Sequence, residues 1–185
     1  MSEALPGWIP GLIDTNGSWD EILTRLYSVF EKDFKIGKPK FKGLPVWWDR
    51  RCERGDPHEE GFWHLVTRDD RQTGDRLLDT PRAKRLAWCR ATIDHCGAAE
   101  VLVFDYLEGD GKVRTYLWAR SADYLVVLEK AVRKGKPVAY SLVTAFVLDG
   151  PARIRAIRGK YENRVQENAI AAPSDGERSP STPGG

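Results

Sequence analysis

Three histidines stand in this chain, His58, His64 and His95, and they are the natural starting point for chemistry near neutral pH. An imidazole both takes and returns a proton in that range, so a single well-placed one can serve as general acid or base. His64 sits inside the apolar island Gly61-Phe62-Trp63-His64-Leu65-Val66-Thr67. It reads either as a proton carrier or as a core histidine donating to a backbone carbonyl. His58 belongs to the polar run Asp56-Pro57-His58-Glu59-Glu60 and is expected to be solvated, whereas His95 follows a helical stretch, where a cationic ring suits the C-terminal end. The cysteines Cys52, Cys89 and Cys96 add no metal pattern: no CxxC or HxxxH pair occurs, and the expectation is of no metal and no cofactor. The loop Glu108-Gly109-Asp110-Gly111 is too acidic to cradle phosphate and reads as a turn.

Basic and aromatic residues alternate in a way that suits RNA. Arg68, Arg71 and Arg76 follow the His64 island, Arg114 and Arg120 share strand parity with Tyr116 and Trp118, and Lys130 to Lys136 forms a basic tip. Cations for phosphate interleaved with rings for bases make a nucleic-acid surface. The competing reading is that the rings are core and the arginines pair with abundant carboxylates.

Those side chains need elements to hold them. Ser18 with Glu21 forms a capping box ahead of Trp19, Ile22, Leu23, Leu26, Val29 and Phe30 at helical spacing, so a first helix is expected to run to about Gly37. Residues 39–49 read as a short strand or edge segment, and the Gly61–Thr67 island as a strand. Asp79 or Thr80 caps a second helix with Pro81 at its first position, ending near Asp94 to Gly97. Two hairpins follow, Val101–Tyr106 with Lys112–Ala119, and Tyr124–Lys130 with Pro137–Leu148, and a short basic helix fills 152–165. The fold class predicted is α+β: an antiparallel sheet of four to five strands from the two C-terminal hairpins, with helices mainly on one face. The other face would be concave, carrying Arg114, Tyr116, Trp118 and Arg120 from one strand and Tyr140, Leu142, Thr144 and Phe146 from another.

The organisation expected is an N-terminal arm over 1–17, one domain over 18–165 and a disordered tail over 166–185. Trp8, Ile9, Leu12 and Ile13 are placed to pin the arm to the core. At 185 residues, with 29 basic against 27 acidic side chains, no global field drives the protein onto nucleic acid, so any RNA contact must be local. The odd cysteine count argues against a secreted disulfide framework, and no signal peptide or membrane-length apolar run is visible. A cytoplasmic protein without membrane contact is the expectation.

Taken in order, Gly61-Phe62-Trp63-His64, Arg68, Leu86-Ala87-Trp88-Cys89 and Tyr140-Ser141-Leu142-Val143-Thr144-Ala145-Phe146 resemble the barnase, EndoU, colicin and RelE group of nucleases, in particular its small phage-associated branches. The resemblance spans roughly residues 47–161. It implies a metal-independent endoribonuclease of toxin type, cutting RNA by 2′-hydroxyl attack to leave a 2′,3′-cyclic phosphate. His64 would then be acid or base, Arg114 and Arg68 would meet the phosphate, and Thr144 would give a hydroxyl. Tyr116, Lys130 and Tyr161 complete the substrate-binding candidates, and an antitoxin or immunity protein is the partner such a toxin implies. EndoU-like members use two histidines and a lysine, which this chain does not obviously reproduce. The alternative is therefore a non-catalytic RNA-binding or protein-interaction module of mobile-element origin. Cleavage requires the groups at 64, 114 and 144 to converge in one solvent-reachable hollow.

Overall fold

Helix α1 (Trp19–Phe30) starts where Ser18 accepts the Glu21 N–H and Glu21 reaches back to the Ser18 N–H, closing both ends of the capping box. Ile22, Leu26 and Phe30 follow at four-residue spacing, and Phe34 continues the stripe in a π-helical turn (Glu31–Ile36) that stops at Gly37. The computed structural model describes residues 4–70 and 72–166, so the predicted tail lies almost wholly outside the described residues.

Strands β1 (Lys40–Phe41) and β2 (Leu44–Trp47) come next, then helix α2 (Glu60–Val66), the small hairpin β3 (Thr67–Asp69) and β4 (Arg76–Leu78), and helices α3 (Thr80–Ala83) and α4 (Leu86–Asp94). The long hairpins are β5 (Val101–Leu107) with β6 (Val113–Ala119), and β7 (Tyr124–Arg133) with β8 (Lys136–Val147). Lys134 and Gly135 both have positive φ, as a two-residue hairpin turn demands. Helix α5 (Pro151–Glu162) closes the described chain.

The fold class is α+β, with a sheet of six strands in the order β1-β2-β8-β7-β6-β5 where four to five were expected. The difference comes from the 39–49 segment. Val46 and Trp47 pair in parallel with Tyr140 and Ser141, which makes the sheet mixed. Helices α1, α2 and α4 bury Leu26, Phe30, Phe62, Leu65, Trp88 and their neighbours against Leu117, Val126 and Leu128 on one sheet face. Trp8, Ile9 and Ile13 of the arm pack there too, and the Trp88 indole donates to the Pro10 carbonyl at 2.8 Å, while Leu12 stays exposed.

The Gly61–Thr67 island is a helix, which corrects the strand expectation. Phe62, Trp63, Leu65 and Val66 are buried while His64 is exposed, a pattern only a helical turn produces. Its first turn lies so close to the chain at 48–49 that a Cβ on Gly61 would meet Asp49 O and Trp48 Cβ at 2.9 Å. Gly61→Ala is therefore expected to lower the melting temperature, and an unchanged melting curve would show that this approach is not needed. Among the described residues no helix is long and apolar enough to cross a membrane.

Candidate functional site

The aromatic sheet face that the alternation singled out is a second core. Phe104, Tyr116, Trp118, Leu125 and Val127 are buried there under Ile154, Ile157 and Tyr161 of α5. Tyr116 stacks on Phe104 at 5.2 Å, and Tyr161 meets the other ring edge-on at 5.3 Å. The Tyr116 hydroxyl bonds to Glu108 and accepts from Lys160 Nζ at 2.7 Å, and Lys160 also reaches both Glu108 oxygens. Neither Tyr116 nor Tyr161 offers a ring for a base. Arg114 is held at the hairpin end by Asp110 at 3.2 Å and Glu129 at 3.9 Å. Lys130 lies on the other face, 2.5 Å from Asp105, whose second oxygen accepts from Thr115 at 2.6 Å. Strand parity puts Arg114 with Tyr116 correctly, but it cannot tell a face turned to water from one turned to a helix.

The Glu108 pair clips α5 to the sheet. Burial alone would raise the Glu108 carboxyl, but hydrogen bonds from Lys160 and Tyr116 outweigh it and hold the group below its ordinary 4.5. A lowered native pKa gives stability above the ordinary value that is lost as pH falls through the native one. Melting curves of wild type and Glu108→Gln should thus differ at neutrality and draw together as the pH falls below the ordinary carboxylate range. A gap that does not change with pH would contradict this.

His64 lies exposed on the last turn of α2, outside the packed stripe. Its carbonyl accepts from Arg82 Nη1 at 3.0 Å, and the same nitrogen bonds the Thr67 carbonyl at 3.0 Å. The Arg82 guanidinium also stands 5.7 Å over the Phe146 ring. Phe146 shares a strand face with Thr144, because β8 runs in regular register from Thr144 to Val147 after a bulge at Leu142–Thr144. That bulge splits the expected face: Tyr140 and Leu142 turn to the helices, whereas Phe146 joins the α5 side. One arginine thus spans from the His64 end of α2 to the Thr144 end of β8, while Arg114 is anchored on another part of the sheet. The three-group convergence required for the expected site does not form: Arg114 is held at the hairpin end, and neither His64 nor Thr144 is among the residues that line the groove holding Arg82.

Arg82 belongs to a groove of about 1260 Å³ between the β3–β4 hairpin, the start of α3 and α4, the end of β8 and the first turn of α5. Arg68, Arg82, Lys84, Arg85 and Arg153 line it, with Phe146 among them. Of the expected substrate residues, Arg68 alone is in this wall. Asp69, Asp70, Asp79 and Asp149 also line it. Two of these are engaged: Asp79 caps α3 by accepting the Arg82 N–H at 3.1 Å, and Asp70 accepts N–H groups of Gln72 and Thr73, which hold its carboxyl below the ordinary range. Desolvation lowers the pKa of Arg82, and the Asp79 carboxylate, 4.0 Å from its Nε, offsets only part of that cost. The Nε atoms of Arg82 and Arg85 are buried with no hydrogen-bond partner. Helix α5 opens at Gly150 and Pro151 with no side-chain cap, presenting its positive end beside Arg153. Together these groups can hold phosphate.

Nothing local marked Arg82, Arg85 or Arg153: Arg82 lies beside a helix-starting proline, Arg85 lies in the same helical stretch, and Arg153 stands on a helix read only as basic. The polar run around His58 pointed to water. The ring is half-buried: Nδ1 is 3.1 Å from Asp56 Oδ1, and Tyr27 packs edge-on at 4.4 Å. His95 caps α4 as expected and stacks on Trp8 at 4.7 Å.

Fold and groove define the class: an α+β protein with an arginine-built cleft. Compared with protein-family models, curated proteins and solved structures, the chain matches none.

Proposed function

We propose that the protein is a metal-independent endoribonuclease of toxin type that works in the arginine groove and not on the aromatic sheet face. The observation that carries this reading is Arg82, which joins the exposed His64 turn to the Thr144–Phe146 strand at the edge of a groove holding Arg68, Arg85 and Arg153. In the reaction the 2′-oxygen bonds to the adjacent phosphorus as its proton passes to a base. The bond to the 5′-oxygen breaks as that oxygen takes a proton from an acid. Charge gathers on the phosphoryl oxygens between these events, and guanidinium groups answer it with paired donors. His64, whose backbone carbonyl Arg82 holds although its ring is not among the residues that line the groove, is the first proton carrier, which this reading takes from the resemblance. Asp69 and Asp149, which have no ion pair among the described residues, are the candidates for the other. Thr144, two residues before Phe146 on β8, is the hydroxyl candidate this reading takes from the resemblance.

The test is incubation of the purified chain with a defined RNA in EDTA, followed by analysis of the ends. The reading expects 2′,3′-cyclic phosphate, and His64→Ala is expected to slow cutting by about 100-fold or more, as loss of a general acid or base does. A second reading, a binding module without cleavage, is favoured by one observation: no imidazole is among the residues that line the groove. Intact RNA, retained with an affinity that falls steeply with salt, would support that reading over cleavage.

A further inference from the structure

The N-terminal arm reaches the arginine groove through the turn between α3 and α4. Pro10 lies on the outside of the molecule, yet its carbonyl accepts the indole N–H of the buried Trp88 at 2.8 Å. Three residues later the Ile13 N–H donates to the Lys84 carbonyl at 2.9 Å, and Leu12, between these two anchors, is exposed at the groove rim. Both ends are fastened further, by Trp8 stacked on His95 at 4.7 Å and by Arg25, which donates to the Asp14 carbonyl at 2.7 Å. The arm is therefore held against the turn from which Arg85 enters the groove.

Trp88 links the two. Its ring lies 5.0 Å from the Arg85 guanidinium, and the Tyr124 ring meets it edge-on at 5.6 Å. The Tyr124 hydroxyl in turn donates to the Arg85 carbonyl at 3.3 Å. A cation is drawn to the face of an indole by the ring quadrupole, so the direction of the ring decides where the cation rests. That direction is fixed by Tyr124 and by the bond to Pro10. Little else holds Arg85: Nη1 donates to the Pro81 carbonyl at 2.9 Å, Nε has no hydrogen-bond partner, and no carboxylate pairs with it among the described residues. Its charge is thus kept for an incoming anion, and the order of its long side chain comes from Trp88.

We infer that Trp88 is a positioning residue for Arg85 and that the arm, through the Pro10 carbonyl, sets how tightly the groove holds phosphate; the inference rests on the phosphate reading of the groove. A side chain already held in its bound direction spares binding the cost of ordering it. Trp88 is not among the residues that line the groove and acts only through Arg85.

The probe is a DNA oligonucleotide of fixed sequence, which offers the phosphates of RNA without the 2′-hydroxyl and so stays uncut. Its binding to the full chain is followed by fluorescence anisotropy. Trp88→Leu removes both ring and N–H and is expected to weaken binding about two- to tenfold, the cost of ordering one long side chain. Trp88→Phe keeps a ring for Arg85 and Tyr124, loses the bond to Pro10, and should recover part of that loss; it carries the test alone if Trp88→Leu does not fold. In an Arg85→Ala background neither change at Trp88 should weaken binding further, because the group it positions is gone. Losses that add in full overturn the inference, since a tryptophan that only stabilises the fold would weaken both backgrounds alike. A second readout needs no nucleic acid: the rate at which phenylglyoxal modifies Arg85, followed by mass spectrometry. That rate is expected to rise in Trp88→Phe and in Trp8→Ala, which loosens the arm, and an unchanged rate in both overturns the inference. Wild-type protein that binds no oligonucleotide, with Arg85 still modified faster in these variants, would sink the phosphate reading and leave the positioning of Arg85 by Trp88 standing.

Discussion

Alanine at Arg82 is expected to abolish most action on RNA, reducing cutting by about 100- to 1000-fold, the usual loss when a charged donor aimed at a transition state is removed. Three observations set the size of the effect. The guanidinium is largely buried, its Nε makes no hydrogen bond and has only the Asp79 carboxylate at 4.0 Å, and it stands at the junction of α2, α3 and β8. The same change removes hydrogen bonds to the His64 and Thr67 carbonyls, which costs stability of about 1–3 kcal/mol. Arg82→Lys separates the roles, because it keeps the charge and loses the planar fork. It should restore only part of the rate. Arg114→Ala is the control, since Arg114 is paired to Asp110 and Glu129 at the hairpin end, and its loss should leave cutting nearly unchanged. If the two alanine variants behaved in the opposite way, the sheet face and not the groove would be the place where RNA is handled.

The second large effect is on folding and distinguishes a helix from a strand at 60–66. Phe62 is fully buried among Tyr27, Phe30, Trp63 and His58, so Phe62→Ala is expected to cost about 3–5 kcal/mol. His64→Ala, two residues on, should change stability by no more than about 0.5 kcal/mol, as exposed positions do. Were the segment a strand, both side chains would share a face and suffer alike. Chemical denaturation of the two variants measures this directly, and comparable losses would contradict the helix.

That segment also explains where the sequence was legible and where it was not. Local signals carried α1, through the Ser18–Glu21 box, and both long hairpins, through Lys134-Gly135 and the acidic turn at 108–111. A seven-residue apolar island has too few residues for its period to separate a strand from a buried helix, and here tertiary packing decided. The polar gap at His64 between buried 62–63 and 65–66 was the available clue. Longer-range facts left still weaker traces. The parallel pairing of Val46 with Tyr140 has no local signature, and the β8 bulge shifts parity without any glycine to announce it. The β6 part of the aromatic face was read correctly, but the bulge takes Tyr140 and Leu142 to the opposite side, and whether α5 lies on the face depends on Ile154, Ile157 and Tyr161 meeting Phe104 and Tyr116 far back in the chain. For the same reason Arg68 was found and Arg82 was not: the groove is assembled from β3, α3, α4, β8 and α5, and only the folded chain brings those pieces together.

The most direct measurement of where RNA lies is photochemical crosslinking of a 4-thiouridine-containing RNA to the full protein, with the attached peptides identified by mass spectrometry. Crosslinks concentrated on the peptides holding Arg68, Arg82 to Arg85 and Phe146 to Arg153 are the predicted result. Crosslinks confined to the β5–β6 strands that carry Phe104, Tyr116 and Trp118, with the groove peptides unmodified, would contradict it.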